Sequence, residues 1–167
     1  AASVVVTASV TAAGDCFSLP FRAGNPRNAT WNGEPAVSAI VNNGTLQMCG
    51  TGLPAGSTLA LGVTMDVAAA TLGTSQVGFS TKNDREGHPF TYLVSWLGGC
   101  DQFGPCDNRT DQFATYKFTV AHAADVKVRC SGAVTEPSAT ETVCDFGFAG
   151  GPTYSTFGIV ATNGWTV

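Results

Sequence analysis

Hydrophobic and polar residues alternate with a period of two along most of this chain. In the first twelve residues Ala2, Val4, Val6, Ala8, Val10 and Ala12 fall on one face, with Ser3, Val5, Thr7, Ser9 and Thr11 on the other. That is the pattern of a strand with one buried side. A helix is disfavoured, because Val and Thr lose side-chain freedom there and no capping residue opens the segment. The same period returns over residues 57–66, where Leu59, Leu61, Val63 and Met65 share a face. Further strands are predicted over residues 36–41, 45–49, 76–80, 113–120 and 125–130, and over 154–167, where Phe157, Ile159, Ala161, Trp165 and Val167 align. Residues 90–97 are apolar on both faces, as in a strand from the middle of a sheet. Only residues 67–72 suggest a turn of helix.

Turn chemistry separates these segments. Asn42-Asn43-Gly44 is a hairpin signal, and residues 19–28, with Gly24-Asn25-Pro26, are predicted as loop. The most charged stretch, residues 82–88, is expected to be a solvated loop. Many short strands joined by such turns predict an all-β fold, an immunoglobulin-like antiparallel β-sandwich. No internal repeat or linker is visible, so residues 14–167 are expected to form one domain. The opening strand, residues 1–13, has two readings: strand A of that sandwich, or a strand that completes the sheet of a neighbouring subunit through main-chain hydrogen bonds.

Composition narrows the setting. Charged residues make up 12% of the chain and the net charge is −4, with Lys and Arg scattered singly, so neither nucleic acid nor an anionic membrane surface is expected as partner. Six cysteines among many turn residues point to an oxidising compartment. Counting does not fix their pairing. Spacing suggests Cys100 with Cys106 around a Gly-Pro loop and Cys130 with Cys144 around a Glu-Pro turn, leaving Cys16 for Cys49. No C-x-x-C pair with nearby histidines suggests a metal. The chain begins Ala-Ala, as a mature protein does after cleavage at a small-residue site, and no apolar run is long enough to span a bilayer. The expectation is a secreted protein without membrane insertion.

Candidate chemistry is sparse. His88 lies in the charged loop and His122 in an Ala-rich turn, and neither belongs to a G-x-S-x-G or H-E-x-x-H motif. Asp84 with Glu86, or Asp101, Asp107 and Asp111, would be the carboxylates for acid/base work or calcium, but their spacing matches no EF-hand loop. No enzyme activity, metal or cofactor is therefore expected. Three glycosylation triplets begin at Asn28, Asn43 and Asn108. Among the aromatic residues, Trp96, Trp165, Tyr92, Tyr116 and Tyr154 are expected in the core. Trp31, flanked by Asn28-Ala-Thr and Asn32-Gly33, is expected to be exposed and is the candidate sugar contact of a self-contained carbohydrate-binding module.

A further pattern combines the N-terminal alternating strand, Cys16, Gly44-Thr-Leu-Gln-Met-Cys49-Gly, the strand over 57–66 and the terminal Pro152-Thr-Tyr-Ser-Thr-Phe-Gly-Ile-Val-Ala-Thr. It resembles the spore coat protein U family, which includes the major pilins of archaic chaperone-usher pili. The resemblance implies an incomplete sandwich whose groove accepts the first strand of the next subunit. Val4, Val6, Ala8, Val10 and Ala12 would then be the donor residues, identical subunits the partners in a head-to-tail fibre, and a periplasmic chaperone and an outer-membrane usher the assembly factors. It implies a structural, adhesive role at the cell surface.

Overall fold

A computed structural model describes residues 2–66, 78–95, 99–109, 111–146 and 157–163. The described residues are all-β and antiparallel, with one short 3-10 turn at Cys100–Gln102. The strands are β1 (Ala2–Ser9), β2 (Gly14–Pro20), β3 (Pro26–Trp31), β4 (Glu34–Pro35), β5 (Ser38–Asn42), β6 (Thr45–Leu53), β7 (Thr58–Met65), β8 (Gly78–Asn83), β9 (Pro89–Val94), β10 (Lys117–Ala121), β11 (Lys127–Cys130), β12 (Ala133–Ser138), β13 (Glu141–Asp145) and β14 (Gly158–Thr162). The expected helical turn at 67–72 lies outside the described residues.

The sequence suggested a single domain over residues 14–167, yet the chain divides into two compact units. The first comprises Ala1–Ala68 with Asp101–Asp107, the second Ala69–Cys100 with Asn108–Val167. Both halves carry the same period-two pattern, and no composition break marks the passage from one to the other.

The first unit is a sandwich of two sheets, ordered β1-β7-β3-β4 and β2-β6-β5. Period-two alternation sends Leu59, Leu61, Val63 and Met65 of β7 into its core, where each is nearly or fully buried. Register then lines up whole rows: Val6, Leu61 and Trp31 across one, Val4, Val63 and Ala29 across the next. The facing sheet supplies Leu46 and Met48 from β6, flanked by Leu19 and Phe17 of β2 and by Val41 and Ala39 of β5. Burying each such Leu or Met contributes about 1.5–3 kcal/mol. Two Asn-Gly pairs make the β3–β4 and β5–β6 hairpins, with Asn32 and Asn43 at φ 52° and 48° and their glycines at 89° and 74°. Only residues tolerating the left-handed region fit there, and two-residue loops of this kind match the twist of the strands.

The second unit has sheets β10-β13-β12 and β11-β14-β9-β8. As its doubly apolar sequence predicted, β9 runs between two partners. Val128, Cys144 and Ile159 form the buried centre, with Leu93, Phe118, Val120 and Phe146 packed against it. Aromatic rings add a cluster in which Phe157 lies 4.6 Å from Phe118, 5.3 Å from Phe146 and 5.3 Å from Tyr116.

The disulfides follow the spacing argument. Cys16 is bonded to Cys49 and Cys130 to Cys144, Cys100 and Cys106 are also disulfide-bonded, and no cysteine is free. Three disulfides fit an oxidising extracellular or periplasmic environment. Among the described residues no helix is long and apolar enough to cross a membrane.

Candidate functional site

The opening strand is where the sequence placed its functional weight. In the structure β1 is the edge strand of its own sheet, paired with β7 over eight residues from Ala2↔Met65 to Ser9↔Thr58. Val10 extends the pairing, its N–H donating to Ser57 O at 2.9 Å while Gly56 N–H donates to Val10 O at 2.8 Å. The apolar face is the one the alternation named: Val4, Val6, Ala8 and Val10 are half-buried, and Val4 and Val10 pack on the core of the first unit. Ala12 is exposed, as are Val5 and the hydroxyl residues on the opposite face. Where β1 runs toward β2, Ala8 to Ala12 line a cleft of about 140 Å³ with Phe17, Trp31, Leu53 and Leu59.

Trp31 corrects the sequence reading. It is not an exposed platform but a core residue, 5% exposed. Its indole N–H donates to Thr51 O at 3.1 Å, and its ring lies over Gly50, where a Cβ would come within 2.3 Å of Trp31 Cγ. The polar neighbours that suggested exposure belong to a β-strand and its turn, and the missing side chain at position 50 is what leaves room for the indole. Of the other aromatic residues, Tyr92 is buried and Tyr116 half-buried, while Trp96, Tyr154 and Trp165 lie outside the described residues.

The carboxylates take structural partners. Asp101 is buried and holds Arg22 in a bidentate pair, Nε to Oδ2 at 2.5 Å and Nη2 to Oδ1 at 2.6 Å, while Arg22 N–H donates to Asp101 O at 2.7 Å. Hydrogen bonding to Asp101 is the main cause that holds the guanidinium above its ordinary pKa; burial opposes it and the carboxylate's charge adds to it. Cys106 N–H donates to Pro20 O at 3.1 Å. Segment 101–107 is thereby fastened along the end of β2. No signal in the sequence paired Arg22 with Asp101, which stand 79 positions apart.

The charged stretch proves to be the tip of the β8–β9 hairpin. Asp84 Oδ1 accepts from the N–H groups of Glu86 and His88 at 3.0 and 2.8 Å, and Oδ2 lies 3.2 Å from His88 Nδ1. Desolvation pushes the Asp84 pKa up, but the hydrogen bonds and charge of His88 and the Glu86 N–H outweigh it, so the net direction is down. His122 bridges Ala123 O and Thr142 Oγ1, each at 2.9 Å. The two histidines thus serve different turns. Among the described residues, no three His, Cys, Asp or Glu side chains form a group that could hold a metal ion. Of the glycosylation triplets, Asn28 and Asn43 are exposed. Asn108 is half-buried, its Oδ1 accepting from Cys100 N–H at 3.1 Å, and Thr110 of that triplet lies outside the described residues.

No protein-family model and no curated protein matches the sequence. Solved structures do. An M1 zinc metallopeptidase from Deinococcus radiodurans superposes with a TM-score of 0.71 at 18% identity, covering 96% of this chain and 37% of its own. A mutant of that enzyme bound to a Tyr-Ser-Ala substrate gives 0.71 at 19% identity, and a two-domain form bound to L-tryptophan gives 0.70 at 19%, with the same coverage. The chain therefore spans a little over a third of these peptidase chains. At this identity the likeness is one of fold.

Proposed function

We propose that this chain is a non-catalytic, extracytoplasmic β-domain of the kind that makes up part of a two-domain zinc metallopeptidase, acting beside a catalytic domain rather than carrying out hydrolysis itself. The superposition over 96% of this chain, but 37% of the peptidase chain, carries the reading. Its coverage supports an accessory role because nearly all of this chain is used and most of the peptidase is left over. The carboxylates and histidines support it too: each described one with a partner above fastens a turn or a loop, and the sequence holds no H-E-x-x-H pair to bind zinc and activate water. Incubating the chain with Zn²⁺ and the peptide Tyr-Ser-Ala, with products followed by mass spectrometry, is expected to leave the peptide intact. Release of its N-terminal residue would overturn the reading.

A second reading, a fibre subunit polymerised by donor-strand exchange, is favoured by one observation: β1 is an edge strand, with one half-buried apolar face. Such a strand can leave its own sheet for the equivalent place in another copy. Detergent electrophoresis of unboiled native material separates the two readings. A ladder that collapses on boiling supports the fibre, since a strand locked into a core leaves only when that core opens. A 17.1 kDa band under both conditions supports the accessory domain.

A further inference from the structure

We propose that the Cys16–Cys49 disulfide is a thiol–disulfide exchange site, reversibly opened by small thiols while the fold stays intact. The three disulfides differ in their setting. Cys130–Cys144 joins β11 to β13, and thus the two sheets of the second unit, with Cys144 fully buried beside Val128 and Ile159. Cys100 of the third is also fully buried. Their partners Cys130 and Cys106 are half-buried, as Cys49 is, but Cys16 is exposed, which gives this disulfide alone an exposed member.

Their position explains why. Cys16 and Cys49 stand directly opposite in the β2–β6 ladder, with Cα atoms 4.1 Å apart. Their neighbours Phe17 and Met48 turn inward to the core, so alternation places the disulfide on the outer face of sheet β2-β6-β5. Ser38 of β5 continues that row, and Gln47 and Ser18 form the next one. No charged side chain stands in either row.

Access is one of the factors that select among disulfides for exchange, and exposed ones are the labile ones. A thiolate approaching the outer face attacks Cys16 Sγ along the S–S axis; the new S–S bond forms, the old one breaks, and the Cys49 sulfur leaves as thiolate and takes a proton. A second thiolate then attacks the mixed disulfide, releasing the oxidised small disulfide and the Cys16 thiol. Two electrons pass from two thiols to the protein disulfide, and the reverse steps close it again.

The strand does not depend on that bond to stay in place. Beyond Cys16 the ladder continues through Phe17↔Met48, Ser18↔Gln47, Leu19↔Leu46 and Pro20↔Thr45. Phe21 N–H then donates to Gly44 O at 2.7 Å, and Arg22 is held by Asp101. Before Cys16 the register already shifts, between Gly14 and Cys16, so an adduct on Cys16 falls at the irregular end of the ladder.

The test is graded dithiothreitol, then separately reduced glutathione, on the full chain under native conditions, with timed alkylation and peptide mapping. Cys16 and Cys49 are expected to be labelled at least about tenfold faster than Cys130 and Cys144, with the far-ultraviolet circular dichroism of the sheets retained during that phase. Glutathione should leave its adduct on Cys16. Opening of all three disulfides at one rate, or of Cys130–Cys144 first, would overturn the proposal, because reduction would then follow global unfolding. The C16S/C49S double variant should lack the fast phase; a fast phase that persists in it also overturns the proposal. Should that variant not fold, the labelling order in the unmodified chain still decides.

Discussion

Gly50→Ala adds a single methyl group and is expected to have a large effect. A Cβ at position 50 would lie 2.3, 2.5 and 2.6 Å from Trp31 Cγ, Cδ2 and Cδ1, whereas ordinary contact begins near 3.4 Å. The indole would have to retreat by about 1 Å, and overpacking of this kind costs about 1–3 kcal/mol. Retreat also pulls Nε1 away from Thr51 O, now at 3.1 Å, which adds about 0.5–1.5 kcal/mol. Reduced freedom of the unfolded chain offsets about 0.4–1 kcal/mol. The net expectation is a loss of about 0.5–4 kcal/mol, centred near about 2 kcal/mol, which lowers the urea midpoint by about 1 M at ordinary m-values. Urea unfolding followed by circular dichroism and tryptophan fluorescence measures it. Gly52→Ala, two residues along β6, is the control: its Cβ would meet nothing closer than 3.9 Å, so its midpoint should match the parent or rise slightly. Equal midpoints for the two variants would refute the placement of Trp31 over Gly50.

Arg22→Ala should cost about 1–3 kcal/mol, because it strands the buried Asp101 carboxylate without its guanidinium while the arginine itself is half-exposed and screened; a thermal or urea midpoint reads it out. Gly132→Ala should be more damaging than a surface substitution elsewhere, since φ is +90° and a Cβ would sit 2.5 Å from Asp145 O, and a midpoint within error of the parent would contradict this. Asp84 is depressed in the folded state, so the hairpin stability it contributes is present above the unfolded aspartate pKa of about 3.9 and is lost as pH falls through the lower folded value. The Glu86 and His88 amide resonances should therefore titrate together with a midpoint below about 3.9, and Asp84→Asn should abolish that titration.

The sequence made the strands of the first unit legible wherever one side chain in two faces a core. Over β1 and β7 the named residues lie on the named face, and the two-residue Asn-Gly turn appears where Asn43-Gly44 stands. Two disulfides were suggested by short spacing and the third followed as the remaining pair, although Cys130–Cys144 closes over a strand and a hairpin turn rather than a turn alone and joins two sheets. Four things were hidden. Residues 19–28 read as loop because Pro20, Gly24 and Pro26 are turn formers, yet β2 extends to Pro20 and β3 begins at Pro26. The hairpin of β12 and β13 was reduced to a turn because exposed residues 134–138 give it little apolar signal. Trp31 was misplaced because local polarity says nothing about a glycine on another strand 19 positions away. The pairing of Arg22 with Asp101 was hidden for the same reason: it is a contact between distant parts of the chain.

The first unit is discontinuous in sequence, and this has a consequence for its synthesis. Residues 1–68 contain both of its sheets but not Asp101–Asp107. A chain emerging from a ribosome or a secretion channel therefore presents Arg22 79 residues before Asp101 arrives, and the Pro20 carbonyl earlier still relative to Cys106, a delay of roughly 4–16 s at ordinary elongation rates. During that interval the end of β2 is an unsealed seam, with Phe21 beside it. Vectorial delivery thus makes completion of the N-terminal unit wait until residues 69–100 of the second have been delivered, and a binder of nascent chains would find its window there.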